Sequence, residues 1–225
     1  MKSNVWVVIA AYNEAPVIRS VVEDARAYAD HVVVVDDDSG DTTADEAFAG
    51  GATVLCHPIN RGQGASLQTG TTYALQNGAD VIIHFDADGQ HDASDIPRFA
   101  EAIERGFDVV LGSRFLEHAK AVPQFRRFIL RCGVLFTWAF SGIKLTDTHN
   151  GFRALSRRAA SQIFIHENRM AHSSEILHEI VRQKIRWTEV STRVLYTDYS
   201  RSRGQSSWNA LSIVGRILWR NFFLH

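Results

Sequence analysis

Ile82-Ile83-His84-Phe85-Asp86-Ala87-Asp88-Gly89-Gln90-His91 runs from an apolar strand into a turn and delivers two carboxylates, one residue apart, where the chain must reverse. Strand residues two apart point the same way, so Asp86 and Asp88 are expected to face one site. In a parallel sheet that site lies at the carboxyl edge, where open α/β sheets bind ligands. Two neighbouring carboxylates repel unless a cation sits between them. A hard divalent ion that prefers oxygen ligands and carries the phosphates of a nucleotide meets that need.

Outward from this stretch, apolar runs alternate with helical patterns, the signature of βαβ units around a mainly parallel sheet. Residues 5–11, 31–36, 53–57, 80–85 and 108–112 read as strands, and 15–29, 42–49, 64–77 and 93–104 as helices. Asp41, Ser94 and the turn Asn60-Arg61-Gly62-Gln63-Gly64 supply helix-opening chemistry. The Gly-x-Gly-x-x-Gly fingerprint of dinucleotide binding is missing after the first strand, where Tyr12-Asn13-Glu14 stands instead. Beyond residue 113 the pattern loosens: helices are expected at 156–163 and 173–182 and a late strand at 186–195. Residues 125–143 are apolar and helix-like, but their uncharged run is too short to span a bilayer. A final helix, 208–223, pairs a broad apolar face with a thin polar stripe, suited to a membrane interface, to a partner, or to packing on its own domain.

The chain has 225 residues, 45% hydrophobic and 22% charged, enough for one good-sized core. Two cysteines make no disulfide framework, and no charged leader with an apolar signal region opens the chain, so a reduced, cytosolic setting is expected. Net charge is −1, yet acidic side chains outnumber basic ones three to one up to residue 113 and the imbalance reverses from Arg114 onward. An acidic half suits a metal and a nucleoside, a basic half suits phosphates or an anionic membrane surface; alternatively the two faces simply pair with each other.

Five motifs then recur in order: Ala10-Ala11-Tyr12-Asn13-Glu14, Val34-Val35-Asp36-Asp37-Asp38-Ser39, Asp86-Ala87-Asp88-Gly89-Gln90, Gly112-Ser113-Arg114, and Asp147-Thr148-His149-Asn150-Gly151-Phe152-Arg153. Together they resemble the family 2 glycosyltransferases with the GT-A fold, and among them the dolichyl-phosphate or polyprenyl-phosphate mannose and glucose synthases. The resemblance covers residues 4 to 207. It implies a GT-A domain over 1–207, with a nucleotide-sugar and metal half (1–113) and an acceptor half (114–207), followed by an amphipathic helix over 208–225. It also implies that Ala10, Tyr12 and Glu14 line the nucleoside pocket, with Val35 and Asp37 closing on base and ribose. Asp86, Asp88 and Gln90 match the segment that binds Mg²⁺ or Mn²⁺, with Ala87 beside the sugar nucleotide. Arg114, one of the Arg126-Arg127 pair (Arg127 is the assignment adopted) and Arg201 match basic positions that hold diphosphate and lipid phosphate. Asp88, Arg114 and Arg201 are the implied catalytic set. This chain has Ala10 where Pro is common, Asp38 where Gly often follows the paired aspartates, and Ser207 where Lys is frequent.

The activity so implied is metal-dependent, inverting transfer of a hexose, mannose or glucose, from a GDP- or UDP-linked donor to polyprenyl or dolichyl phosphate. It would act at the cytosolic face of a membrane, with a small membrane protein as a conceivable partner. A lipid monophosphate is largely a dianion at neutral pH and needs placement more than a base. A sugar hydroxyl acceptor would need a carboxylate base, for which Asp147 is the first candidate. The alternatives are a cytosolic transferase acting on a soluble or protein-linked sugar, and a non-catalytic nucleotide-sugar-binding subunit. Asp-x-Asp-Gly also occurs in haloacid-dehalogenase-like phosphatases, but there Thr or Val usually stands at the position of Gln90. Gln183-Lys184-Ile185-Arg186-Trp187 spells a signature of processive polysaccharide synthases outside its transmembrane setting and reads as coincidence. His84, His91, His149 and His172 lie near the proposed site without the spacing of a zinc centre.

Overall fold

The computed structural model describes residues 3–116, 145–147, 150–169, 171–193 and 195. Seven strands form one sheet: β1 (Val5–Ala11), β2 (His31–Asp36), β3 (Thr53–Cys56), β4 (Val81–Asp86), β5 (Val109–Ser113), β6 (Arg153–Ser156) and β7 (Trp187–Ser191). Their spatial order is β3-β2-β1-β4-β6-β5-β7. Only β6 runs against its neighbours, antiparallel to both β4 and β5. The helices are α1 (Ile18–Arg26), α2 (Thr43–Ala49), α3 (Gln63–Gln76), α4 (Ile96–Glu104), α5 (Arg157–Gln162) and α6 (His172–Arg182).

The central strands are continuous apolar runs because both faces of the sheet are covered. Period-two alternation sorts each run between two cores. Val5, Val7 and Ile9 of β1 join Val34, Ile83, Ile18 and Val22 of α1, and Phe99 of α4 on one face. Trp6 and Val8 join Val33, Val35, Ile82, Leu67 of α3 and Ile176 of α6 on the other. Phe99 stacks on Phe152, ring centroids 4.2 Å apart, just before β6 begins. Helix α3 lies so close to the sheet that a β-carbon on Gly70 would sit 2.3 Å from Val8 Cγ1. Gly70→Ala should therefore overpack a core of stiff β-branched side chains and cost about 1–3 kcal/mol despite better helix propensity. A urea-unfolding midpoint equal to the parent's would contradict this.

The expected strands are present with ends shifted by a residue or two, except that the late strand stops at Ser191. β6 had no counterpart in the sequence reading. Helix α1 starts only at Ile18, because Pro16 restricts the residue before it and Glu14 O instead closes a turn onto Val17 N and Ile18 N. The expected 93–104 helix is a 3₁₀ turn, Ala93–Asp95, leading into α4, and its capping group is Asp92, whose side chain accepts from Ser94 N. The Gln183–Trp187 run turns α6 into β7, with Lys184 at φ 52°, at the sheet edge opposite Asp86. Arg158 pairs with Asp108, so one of the charges of the basic half is neutralised by the acidic half, as the alternative reading of the asymmetry expects. Among the described residues no helix is long and apolar enough to cross a membrane. Arg126, Arg127, Arg201, the apolar stretch 125–143 and the helix expected at 208–225 lie outside the described residues.

Candidate active site

β1 is flanked by β2 on one side and β4 on the other, so the chain's order reverses there and a crevice opens at the carboxyl ends of β1 and β4. In that register Ala10 lies beside Asp86. The first and third motifs therefore meet at one point of the sheet edge.

Two loops make the left wall. Asn13 and Asp38 both adopt left-handed backbone, φ 56° and 62°. Short polar side chains such as these tolerate that conformation. The loops are sewn together: Asn13 N donates to Ser39 Oγ (2.9 Å), Gly40 N to Asn13 Oδ1 (2.8 Å) and Glu14 N to Thr43 Oγ1 (2.8 Å). Tyr12, the residue expected to supply a stacking platform, is 49% exposed.

Val35 and Asp37, which the resemblance assigns to base and ribose, are both buried. Val35 is fully buried, because odd-numbered residues of β2 face α3, where Val35 lies against Gly70. Asp37 is buried with both oxygens engaged: it accepts from Arg61 N (2.9 Å) and Gly62 N (2.6 Å), and its Oδ1 lies 2.7 Å from His57 Nδ1. Its role in the structure is to shape the turn that opens α3. Burial alone would raise its pKa; the hydrogen bonds from Arg61, His57 and Gly62 outweigh burial and hold it below the ordinary 3.8. A carboxyl with a lowered folded pKa stabilises the fold above the unfolded value, and that contribution is lost as pH falls through the lowered one. Asp37→Asn should therefore melt below the parent at neutral pH, with the gap beginning to close only below about pH 4. A gap of constant size from pH 7 to 3 would refute the assignment.

Asp86 is the last residue of β4, and Asp88 sits in the turn beyond it, so the two are not neighbours along one strand face as expected. They are nevertheless electrostatic neighbours. Burial first, and the charge of Asp86 second, raise the pKa of Asp88. For Asp86, burial is outweighed by a hydrogen bond from His91 and by the positive fields of His91, Arg153 and His172, which lower it. Asp86 is clamped: Gln63 Nε2 reaches Oδ1 (3.2 Å), His91 Nε2 reaches Oδ2 (2.8 Å), and a β-carbon on Gly151 would come within 2.2 Å of Oδ2. Asp88 accepts from Gln90 N at 3.0 Å, and Gln90 O accepts from Leu195 N at 2.8 Å, tying the chain after β7 to this turn. Ala87 is buried between the two carboxylates. No three His, Cys, Asp or Glu side chains among the described residues form a metal cluster. The donor set on offer, Asp86, Asp88 and the amide of Gln90, is all oxygen, and it carries a carboxylate that repulsion burdens, which suits a hard cation such as Mg²⁺ or Mn²⁺.

A buried polar layer underlies Asp86. His84 faces Arg153 in register, and its Nε2 lies 2.9 Å from Thr71 Oγ1. Burial, then the charges of Arg153 and His172, push His84 down to about 3 against the pull of Asp86, so it is neutral. Arg153 is buried and donates to Ser173 Oγ at 2.8 Å. Arg153, Gln63 and Gly151 carried no role in the sequence reading. Arg153 and Gly151 were legible only as members of the fifth motif, and Gln63 only as part of a turn.

On the right wall Arg114 forms a two-pronged ion pair with Asp147, Nε to Oδ2 at 2.6 Å and Nη2 to Oδ1 at 2.8 Å. The guanidinium is 24% exposed and the carboxylate 0%. Asp147 is thus a bracket for Arg114 rather than an accessible base. Glu189 fastens the same segment, accepting from Thr146 N and Asp147 N. A separate cavity of about 540 Å³ lies along α3, lined by Gln68, Thr72, Tyr73 and Phe164; neither Asp86, Asp88 nor Arg114 borders it.

Comparison with known proteins bears on the family and the fold. The family model for glycosyl transferase family 2 matches residues 6–164. The chain is 29% identical to a UDP-N-acetylglucosamine–dolichyl-phosphate N-acetylglucosaminyltransferase of Methanococcus voltae, over 95% of this chain and 94% of that protein. It is 36% identical to an undecaprenyl-phosphate mannosyltransferase of Micrococcus luteus, over 67% of this chain and 65% of that one. Among solved structures, glucosyl-3-phosphoglycerate synthase from Mycobacterium tuberculosis, crystallised with Mn²⁺, uridine diphosphate and glucosyl-3-phosphoglycerate, superposes with a TM-score of 0.69 at 18% identity, over 95% of this chain and 76% of that one. With the family model spanning most of the chain and the fold shared with that synthase, the protein belongs to glycosyl transferase family 2 and is a glycosyltransferase of GT-A fold.

Proposed function

We propose that this enzyme transfers a hexose, mannose or glucose by the sequence reading, from a nucleotide sugar to a polyprenyl or dolichyl phosphate with inversion at the anomeric carbon, and that it needs Mg²⁺ or Mn²⁺. The observation that carries the reading is the pair Asp86 and Asp88 beside Ala10, one carboxylate clamped and the other raised in pKa by its neighbour. Asp86, Asp88 and Gln90 would hold the cation, which when bound supplies Lewis-acid stabilisation of the departing nucleoside diphosphate. Tyr12 and Glu14 would orient the nucleoside, the ring by stacking and the carboxylate by accepting from base or ribose. Arg114, aimed by Asp147, would stand at the acceptor side and offset phosphate charge. Arg127 and Arg201 are assigned to the same task by resemblance alone.

Among the described residues, the setting of Asp147 supports a phosphate acceptor. The base candidate named for a hydroxyl acceptor, Asp147, is buried and committed to Arg114. A phosphate dianion brings its own nucleophilic oxygen and asks only for in-line placement with repulsion cancelled. The names of the Methanococcus and Micrococcus relatives, both polyprenyl-type phosphate transferases, support the same acceptor class. Because that lipid resides in a bilayer, the enzyme would work at a membrane surface, reached from the cytosolic side. The test is a panel of radiolabelled GDP-mannose, UDP-glucose and UDP-N-acetylglucosamine with purified enzyme, Mn²⁺ and detergent-dispersed polyprenyl phosphate. Label is expected in the organic phase as an acid-labile lipid-linked sugar. Transfer only to a water-soluble acceptor, in the absence of lipid, would overturn the reading.

A further inference from the structure

His91 follows the acidic turn, and its placement exceeds what a core histidine needs. Its ring completes a triangle with Phe85 and Phe152, centroids 5.3 Å from each, the two phenyl rings being 5.1 Å apart. Nε2 lies 2.8 Å from Asp86 Oδ2, while Nδ1 is buried with no hydrogen-bond partner among the described residues. A carboxylate only accepts, so Nε2 carries the proton of this contact. The orphaned Nδ1 means that the ring was not placed to satisfy both its nitrogens. Packing sets its position, and the one contact kept is the one to Asp86.

Phe85 and His91 bracket Asp86 in sequence, and Phe152 follows Gly151, whose missing side chain leaves room for the Asp86 carboxylate. Gln63, from the first turn of α3, reaches the other oxygen. The carboxylate plane is thereby fixed from three directions, whereas Asp88 is held through Gln90 N, within its own turn. We infer that His91 is a positioning residue for Asp86: an aromatic triangle holds its Nε2–H in place, so that Asp86 meets a divalent cation already oriented while Asp88 adjusts. This rests on the reading that Asp86 and Asp88 hold a cation. Partners that orient ligating carboxylates commonly alter metal affinity by about 10- to 100-fold when removed.

Two substitutions separate aiming from packing. His91→Phe keeps a ring against Phe85 and Phe152 but has no donor. His91→Gln keeps an amide donor of similar reach but gives up the ring. Mn²⁺ titrated into each full-length protein, with free Mn²⁺ read by electron paramagnetic resonance and folding by thermal melting, reports both properties. His91→Phe is expected to melt near the parent and bind Mn²⁺ about 10-fold or more weakly; His91→Gln is expected to melt lower yet bind within about 3-fold of the parent. If His91→Phe binds Mn²⁺ as the parent does, the aiming role is overturned and the cation reading stands. If the parent itself binds no Mn²⁺, the cation reading falls and takes this role with it.

Discussion

Asp88→Asn is expected to lower transfer about 10³-fold, the equivalent of about 4 kcal/mol of transition-state stabilisation, while leaving the metal-free protein at least as stable as the parent. The two halves of that expectation have one cause. Asp88 sits in the field of Asp86, and burial and repulsion together raise its pKa. Without a cation, neutralising one of two crowded carboxylates relieves strain rather than adding it. With a cation, the same change removes a ligand charge from the position where diphosphate charge would grow. Melting curves with and without Mn²⁺, run beside the radiolabel assay, check both: the parent should gain stability on adding Mn²⁺ and Asp88→Asn should not. A substituted enzyme that turns over at the parental rate would remove the cation from the mechanism.

The second large effect is expected at a residue with no functional group. In Gly151→Ala the new β-carbon would lie 2.2 Å from Asp86 Oδ2 and 2.4 Å from Oδ1. Those distances are impossible, so the carboxylate must swing away and leave Gln63 and His91 behind. Transfer should fall about 10²-fold or more, the usual penalty for misplacing a reacting group by about 1 Å. Stability should fall as well, by about 1–3 kcal/mol for overpacking. Gly70→Ala is the comparison that makes this specific: it overpacks the core against Val8 and Val35, with neither carboxylate among the atoms its β-carbon would meet, and should lose stability with little change in rate. Equal rates in the two variants would mean that Asp86 tolerates displacement.

Much of this architecture was readable because the chain states it redundantly. In β1, β2 and β4 apolar runs rich in Val and Ile mark strands buried on both faces, and β1 and β2 have the ends that the runs suggest. The acidic turn and the Tyr12–Glu14 loop were legible as end-of-strand chemistry. β6 was not, because its four residues begin with Arg153, a charge at an interior position, and its antiparallel pairing depends on partners some seventy residues away in β4. The surroundings of Val35 and Asp37 were hidden for another reason. A motif fixes which residues stand at a strand end but not which face each takes or which turn claims its oxygens; here α3 covers one and the Arg61–Gly62 backbone claims the other. The separation of Asp88 from the strand was equally hidden, since residue spacing does not reveal that β4 ends at Asp86.

The reversed strand also shapes how the molecule is made. Until β6 has been synthesised, β4 carries an open flank of unsatisfied amides and carbonyls next to the future catalytic turn, the kind of border through which nascent chains stick to one another. Gly151 and Arg153 arrive with that same segment. Sealing the flank and completing the setting of Asp86 are thus a single event in the assembly of the sheet.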